Sequence, residues 1–444
     1  MNLSIVRRIA LALLPGTLAA QSAVTLTLGG AARLAAAHGG ATMIARTRVE
    51  QADARGRQAR SALFPTISAS AGESERNQNT ATFGFSFRDP TGKPVFDPYG
   101  QIIPPVKVID LRGRAQASLI DLSVAAKLAT VRQQVRVAQA DAAGVGDQAA
   151  ALAAAAYVRA VRADAVHAAR LADSTLAAEL VTIARDQLQA GTGVALDVTR
   201  ARSQLSSAHA QLIAARTDRE RARLDLRRIA GLDPSVELTL ADSLMALPLA
   251  AELPTADEGT RVAFSRRADL RAAAEQKVAA ERTVAATRLE RLPTLGVFGE
   301  QGALGLSGAH LLNTYTWGLQ LSVPLFDGFR REGRLEEQRA QVREADARRR
   351  DLEAQTAIDV RAALLELGAA REMLAAADER LALAQQELEQ ARQRFTAGIT
   401  GNADVITASL GINAARTQVV DARAAYQSAR VTLARTEGTV TDLP

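Results

Sequence analysis

Residues 313–329 read NTYTWGLQLSVPLFDGF. From Tyr315 every second residue is apolar: Tyr315, Trp317, Leu319, Leu321 and Val323. Between them stand Thr316, Gly318, Gln320 and Ser322, all small or polar. A period of two predicts a strand with one apolar face. Pro324 cannot donate to a ladder and ends the strand. Beyond Phe329 the chain reads RREGRLEEQRAQVREADARRR, a charged helix that water solvates. The only tryptophan of the chain therefore lies on an amphipathic strand that feeds directly into a long polar helix.

The composition fits that pairing. Over 444 residues, aromatics make up 3%, while Ala, Arg, Leu, Glu and Gln dominate, a long-helix signature. Aliphatic residues are plentiful enough to argue against disorder. The net charge is +6, but the arginines are spread along helices and interleaved with acids. No basic cluster alternates with aromatics, which argues against nucleic-acid binding. There are no cysteines, so disulfides, thiolate metal sites and a lipidated N-terminal Cys are not expected. The start, MNLSIVRRIALALLPGTLAAQSA, has Arg7 and Arg8, an apolar core from Ile9 to Leu14 and small residues around Ala19, the plan of a secretory signal peptide. Its core is too short to span a bilayer, and no later stretch reaches about 18 uninterrupted apolar residues.

The chain repeats itself. Residues 190–231 align without a gap to residues 397–438. Ala190-Gly191 match Ala397-Gly398, and Asp197-Val198 match Asp404-Val405. Further identities run from Ala201 to Gly231, about a third of the positions, more than chance gives in a gap-free alignment. The heptad phase is kept as well. Val198, Leu205, Leu212 and Leu226 recur at seven-residue steps with Ala201, Ala208, Ala215, Ala222 and Ile229 beside them. Val405, Ile412, Val419, Tyr426 and Leu433 pair in the same way with Ala408, Ala415, Ala422, Ala429 and Thr436. A seam with one large and one small position lets helix backbones approach closely, and a strict repeat of seven imposes a left-handed supercoil. Arg219 is the polar exception; its long stem can still cover the seam. Val360, Leu367, Leu374, Leu381, Leu388 and Phe395 form another such row. No single seam can be traced through the first long helix.

Upstream, LIDLS at 119–123 matches LFDGF at 325–329, with Asp121 opposite Asp327. Each half reads helix, strand, strand, very long helix, helix. First helices are expected near 31–62 and 258–291, strands from near 66, 108, 294 and 314, and long helices near 124–189 and 330–396. The Gly29-Gly30 and Gly39-Gly40 pairs read as turn punctuation. The expected division is a signal peptide at 1–23, a first repeat at 24–231, a linking equatorial segment at 232–257, a second repeat at 258–438 and a tail at 439–444. A helix of about 66 residues is about 100 Å long, and the two shorter helices laid end to end match it. The fold class is mainly α with a small β part, built of long antiparallel coiled helices and four strands.

The strands alternate well. In VIDLRGRAQASL at 108–119, Ile109, Leu111, Gly113, Ala115, Ala117 and Leu119 face one way, and Asp110, Arg112, Arg114, Gln116 and Ser118 the other. Strands of about ten residues with this pattern suit an outer-membrane barrel, with Tyr315 and Trp317 at an interfacial girdle and Phe83, Phe85 and Phe87 at another girdle or in an outer loop. A soluble sheet with one solvated face shows the same alternation. Four strands cannot close a membrane barrel, so a barrel requires further copies of the chain.

Taken together, VTLTLGGAARLAAAHGG at the mature start, LFPTISASAG before the first long strand, RRADL at 266–270, LSVPLFDGFRR at 321–331 and the two tips AGTGVALDV and AGITGNADV resemble the TolC-like outer-membrane efflux proteins, over nearly the whole mature chain. Two departures stand out: Ala268 where the family usually has Pro, and LIDLS as a degenerate counterpart of LFDG. The resemblance implies a homotrimer in which three chains make a 12-stranded barrel in the outer membrane and a tunnel of 12 helical rods through the periplasm. It implies a channel that receives substrates from an inner-membrane pump through a periplasmic adaptor, in efflux or type I secretion, with no cofactor. It places the adaptor at the tips, around Gly191, Thr192, Gly398 and Ile399, and a cation-attracting entrance at Asp404, with Asp197 at the equivalent place in the first half. The second acid that often stands three residues on is here Thr407.

Two other classes compete with this reading. His38, His167, His209 and His310 are scattered singly, no HExxH and no Gly-rich loop ending in Lys-Ser/Thr occurs, and no nucleophile pairs with a base, so catalysis and metal binding find no support. A periplasmic coiled-coil scaffold would explain the heptads but not the strands.

Overall fold

The computed structural model describes residues 24–83, 88–95, 97, 99–249, 252–306, 310–397, 399 and 402–444. The leader at 1–23, Phe85, Phe87 and Gly398 lie outside the described residues. In chain order the elements are β1 (Val24–Leu26), α1 (Leu28–His38), α2 (Gly40–Ser61), β2 (Thr66–Asn79), β3 (Ile102–Ile120), α3 (Leu122–Gln189), α4 (Ala195–Ala230), β4 (Leu238–Leu240), α5 (Ala256–Arg266), α6 (Ala268–Leu289), β5 (Thr294–Leu306), β6 (Leu312–Ser322), α7 (Arg330–Thr396) and α8 (Asn402–Glu437). Among the described residues no helix is long and apolar enough to cross a membrane. The chain forms two compact units: one from the described residues of 24–45, 142–268 and 353–444, the other from those of 46–141 and 269–352.

The first unit is built on helix seams. In α8, Val405, Ile412, Val419, Tyr426 and Leu433 are buried with Ala408, Ala415, Ala429 and Thr436. In α7, Val360, Ala363, Leu367, Ala370, Leu374 and Ala377 are buried as the heptad row requires. The first long helix lacks a single seam for a physical reason. From Ala149 to Val161 ten of thirteen residues of α3 are buried, with only Leu152 and Arg159 exposed, because α1, α4 and α8 pack around it. An apolar stripe is readable only where the opposite face meets water. Arg219 finds Asp164 on α3 at 3.8 Å, and Arg223 finds the same carboxylate at 2.9 Å.

Two short strands were not legible. β1 and β4 pair in parallel, Val24 with Leu238 and Leu26 with Leu240. Buried Tyr157 of α3 fastens them: its hydroxyl donates to Asp242 Oδ2 at 2.9 Å, with Leu26 O also within reach of the same proton at 3.1 Å, and accepts from Asp242 N. Burial pushes that hydroxyl above the ordinary tyrosine range.

Each expected first helix is in fact two. The first breaks at Gly39 (ψ 144°) and the second at Arg267 (ψ 125°). The breaks receive the ends of α4 and α8. Gly231 and Gly438 both take φ +73°, a left-handed helix end. A Cβ on Gly231 would meet His38 O at 2.8 Å, and one on Gly438 would meet Arg267 N at 3.1 Å. Ala268 opens α6 directly after the second break, the first helical position, where a proline's missing N–H costs nothing. Gly29 and Gly30 do not form a turn; they lie in the first turn of α1, capped by Thr27 Oγ1 on Gly30 N.

The second unit is a four-stranded antiparallel sheet in the order β2-β3-β5-β6, with four helix segments that follow the same order. Segments of α2 and α3 meet where a Gly56 Cβ would stand 4.0 Å from Val135. Lys127–Glu290 (2.9 Å) and Arg282 donating to Ala129 O (3.2 Å) join α3 to α6. Lys277–Asp346 (2.8 Å) and Arg334–Glu290 (2.7 Å) join α6 to α7. The strand expected from 108 begins earlier, at Ile102. Its ladder to β2 shifts register between Arg76 and Gln78, and Pro104 and Pro105 fall in that shift, where no N–H is needed.

Candidate functional site

Register places the sheet's side chains. On one face stand Ile67, Ala69 and Ala71 of β2, Leu111, Gly113 and Ala115 of β3, Leu295 and Val297 of β5, and Tyr315, Trp317, Leu319 and Leu321 of β6. This face is unpartnered: Tyr315, Trp317, Leu319 and Leu321 are each two-thirds exposed or more. The opposite face carries Ser68, Ser70, Arg112, Arg114, Gln116, Glu300, Thr314, Thr316 and Gln320. Its charges pair with each other. Glu300 accepts from Arg114 Nε at 2.5 Å and from Arg112 at 3.0 Å, and Arg112 also reaches Asp110 at 3.0 Å. The alternation of β3 revealed Arg112 and Arg114, but only the register with β5 brings Glu300 between them.

The sheet-to-helix junctions are apolar and exposed. Leu119, Ile120 and Leu122 flank Asp121, and Leu325, Phe326 and Phe329 flank Asp327. The two aspartates do different work. Asp121 Oδ1 accepts from the N–H groups of Ser123 and Val124 and so caps α3. Asp327 instead accepts from Arg331 Nε at 2.7 Å. Phe329 holds φ +62°, a left-handed conformation that costs a non-glycine residue about 1–2 kcal/mol. Its ring meets Phe326 edge to face at 5.5 Å.

Both tips lie in the first unit. At the first, Gly191 takes φ +76°, and Gln187 O accepts from Thr192 N (3.0 Å), Thr192 Oγ1 (3.2 Å) and Gly193 N (2.9 Å). Gly193 is a requirement the sequence did not announce: a Cβ there would lie 3.0 Å from Gln187 Cβ. At the second, Ile399 N donates to Arg394 O at 3.0 Å and its side chain is exposed. Asp197 and Asp404 occupy the first turns of α4 and α8, as their spacing predicts. Their surroundings differ. Asp197 is mostly covered and has Arg200 at 4.0 Å, whereas Asp404 is exposed. Thr407, which replaces a second acid, donates back to Ala403 O at 2.9 Å. Away from the tips, Asp173 of α3, its side chain 2% exposed, is held by Arg170 at 3.1 Å and by Arg416 of α8 at 3.2 Å.

Residues 261–439 match the family described as outer membrane efflux protein. No curated protein sequence matches the chain significantly. Among solved structures, the outer membrane protein VceC from Vibrio cholerae is similar over 93% of this chain and 96% of that one, at 19% identity and TM-score 0.72. The Campylobacter jejuni CmeC outer membrane channel covers 93% and 85% at 17% identity and TM-score 0.72. The open state of the Neisseria gonorrhoeae MtrE outer membrane channel covers 93% and 88% at 17% identity and TM-score 0.71. At these identities the likeness is one of fold.

Proposed function

We propose that this chain, an outer membrane efflux protein by its residues 261–439 and TolC-like in fold, is the exit duct of a tripartite efflux or type I secretion system. It sits in the outer membrane, extends into the periplasm, and conducts what an inner-membrane pump delivers through a periplasmic adaptor. One observation carries the reading. Among the described residues the sheet has four strands, two open edges and an apolar face led by Tyr315 and Trp317 that no other described residue covers. Open edges and a bare apolar face are tolerated when strands of further copies complete a closed barrel and lipid covers its outside. Three copies give twelve strands, within the range of membrane barrels. The polar face, with Arg112, Arg114 and Glu300, then lines the lumen.

The tips at Gly191-Thr192 and Gly398-Ile399 are the adaptor's docking points, and Asp404 with Asp197 lines the periplasmic entrance. Planar-bilayer recording of the detergent-purified protein tests the reading. Steady single-channel steps are expected; a soluble scaffold would give none.

A further inference from the structure

Below the sheet, α2 and α3 line an open groove of about 300 Å³. Its rim carries Arg57, Arg60 and Arg132, its floor Leu128 and Val135, and Asp53 is the one acid that lines it. Several arginines of the helix segments in this unit are tied to carboxylates, as Arg334 is to Glu290 and Arg350 to Asp346. Among the described residues none of these three is paired with a carboxylate. Gly56, in mid-helix, leaves the floor open, since even a Cβ there would only touch Val135 at 4.0 Å.

The groove does not end there. Arg60 lies over the Phe64 ring, 5.9 Å from its centroid. Phe64 is itself part of the wall of a second groove, of about 500 Å³, at the base of the sheet. Phe298, Gln116, Gln320 and Ser118 share that wall. Register puts all four on the polar face of the sheet. The two grooves meet at Arg60 and Phe64, and both are of the size that takes small organic ligands.

We propose that this double groove is a contact station for apolar organic anions in transit, and so favours carboxylated or sulfonated aromatic compounds among the substrates. Guanidinium groups bind carboxylate and sulfonate oxygens through two parallel N–H donors. Leu128, Val135, Phe64 and Phe298 offer an apolar and aromatic bed for the body of the molecule, and the amides of Gln116 and Gln320 hydrogen-bond a polar substituent. Arg60 over Phe64 joins the anion-binding end to the aromatic end. The inference rests on the duct reading, which makes the polar face the lumen wall.

The test uses the full-length protein in amphipol, titrated calorimetrically with naphthalene-1-sulfonate, 1-naphthol and 1-naphthylmethylammonium, and in parallel planar-bilayer recordings with the same compounds. The sulfonate should bind and lengthen partial blockades. Naphthol should bind about tenfold more weakly, and the cation not measurably. Arg57→Gln/Arg60→Gln/Arg132→Gln should weaken sulfonate binding at least about tenfold without changing naphthol. Phe64→Ala should weaken both, and Gly56→Leu, which fills the groove with no change of charge, should abolish binding. Oligomer mass and thermal unfolding serve as folding controls, and Arg60→Gln alone replaces the triple variant should it misfold. Equal sulfonate affinity in the arginine variants, equal binding of the cation, or loss of a co-purifying anionic phospholipid in place of the sulfonate would overturn the proposal. Conductance without sulfonate binding would overturn the station and leave the duct standing; arginine-dependent binding without conductance would leave an anion-binding groove but overturn its role in transit together with the duct.

Discussion

Asp404 stands exposed in the first turn of α8, where free N–H groups and the helix dipole favour a carboxylate whatever the chain does. A role at the entrance adds something a helix start does not: carboxylates converging on a narrow pore concentrate cations and bind multivalent ones. Asp404→Asn should therefore lower cation selectivity in planar bilayers and relieve block by a trivalent cation, with the oligomer intact. Asp197 is covered and lies beside Arg200, so Asp197→Asn should change selectivity less. Identical selectivity and block in Asp404→Asn and wild type would reduce Asp404 to a helix-start residue. Asp346 makes a different prediction. Lys277 first and Arg350 second hold its carboxyl down from the ordinary 3.8 to about 2. A depressed carboxylate stabilises the fold above its unfolded pKa, and that contribution fades as pH falls through the folded value. Thermal unfolding of wild type and Asp346→Asn should differ above about pH 4 and converge near pH 2. A difference that stays constant down to pH 2 would show that ionisation of Asp346 adds no stability to the fold.

At the scale of elements, the α7 and α8 seams were legible because each has water on its far side, so the heptad row stands out against charge. Val360, Leu367, Val405 and Ile412 are buried where the spacing put them. The long stretch of α3 around Tyr157 was not legible, since burial there covers most of the helix surface and blurs the stripe, and β1 and β4 are too short to show a period. The breaks at Gly39 and Arg267 were hidden for another reason. They are demanded by the ends of α4 and α8 arriving from elsewhere in the chain, a contact that no local pattern records. Gly231→Ala should accordingly destabilise by more than the roughly 1–2 kcal/mol of a left-handed alanine, because its Cβ also strikes His38 O. Gly438→Ala, with a looser contact, should cost less; the two unfolding midpoints check the order. The buried Asp173 gives a third test. Arg416→Ala removes one of the two arginines that hold it, leaving Arg170 and the Asn413 amide, and should lower stability by roughly 1–3 kcal/mol, with Arg416→Lys recovering part of the loss. Unchanged unfolding of Arg416→Ala would mean that Arg170 and Asn413 satisfy the carboxylate without it.

For the whole molecule, the candidate site residues were legible as positions but not as surroundings. Sequence spacing gave Asp197 and Asp404 equivalent places, and the structure gives them unequal exposure. It gave β6 its apolar face, and the register shows how far that face extends across all four strands. Neither chain end nor helix packing covers Tyr315, Trp317, Leu319 or Leu321 among the described residues. A folded monomer in water would carry that face bare, beyond what soluble monomers ordinarily expose. Closure with further copies is the physical alternative, and it is the claim on which the duct, its entrance and its lumen all depend. Native mass spectrometry of the detergent-extracted outer-membrane protein tests it most directly: a trimer that survives mild activation is expected, and a folded monomer as the dominant species would contradict it.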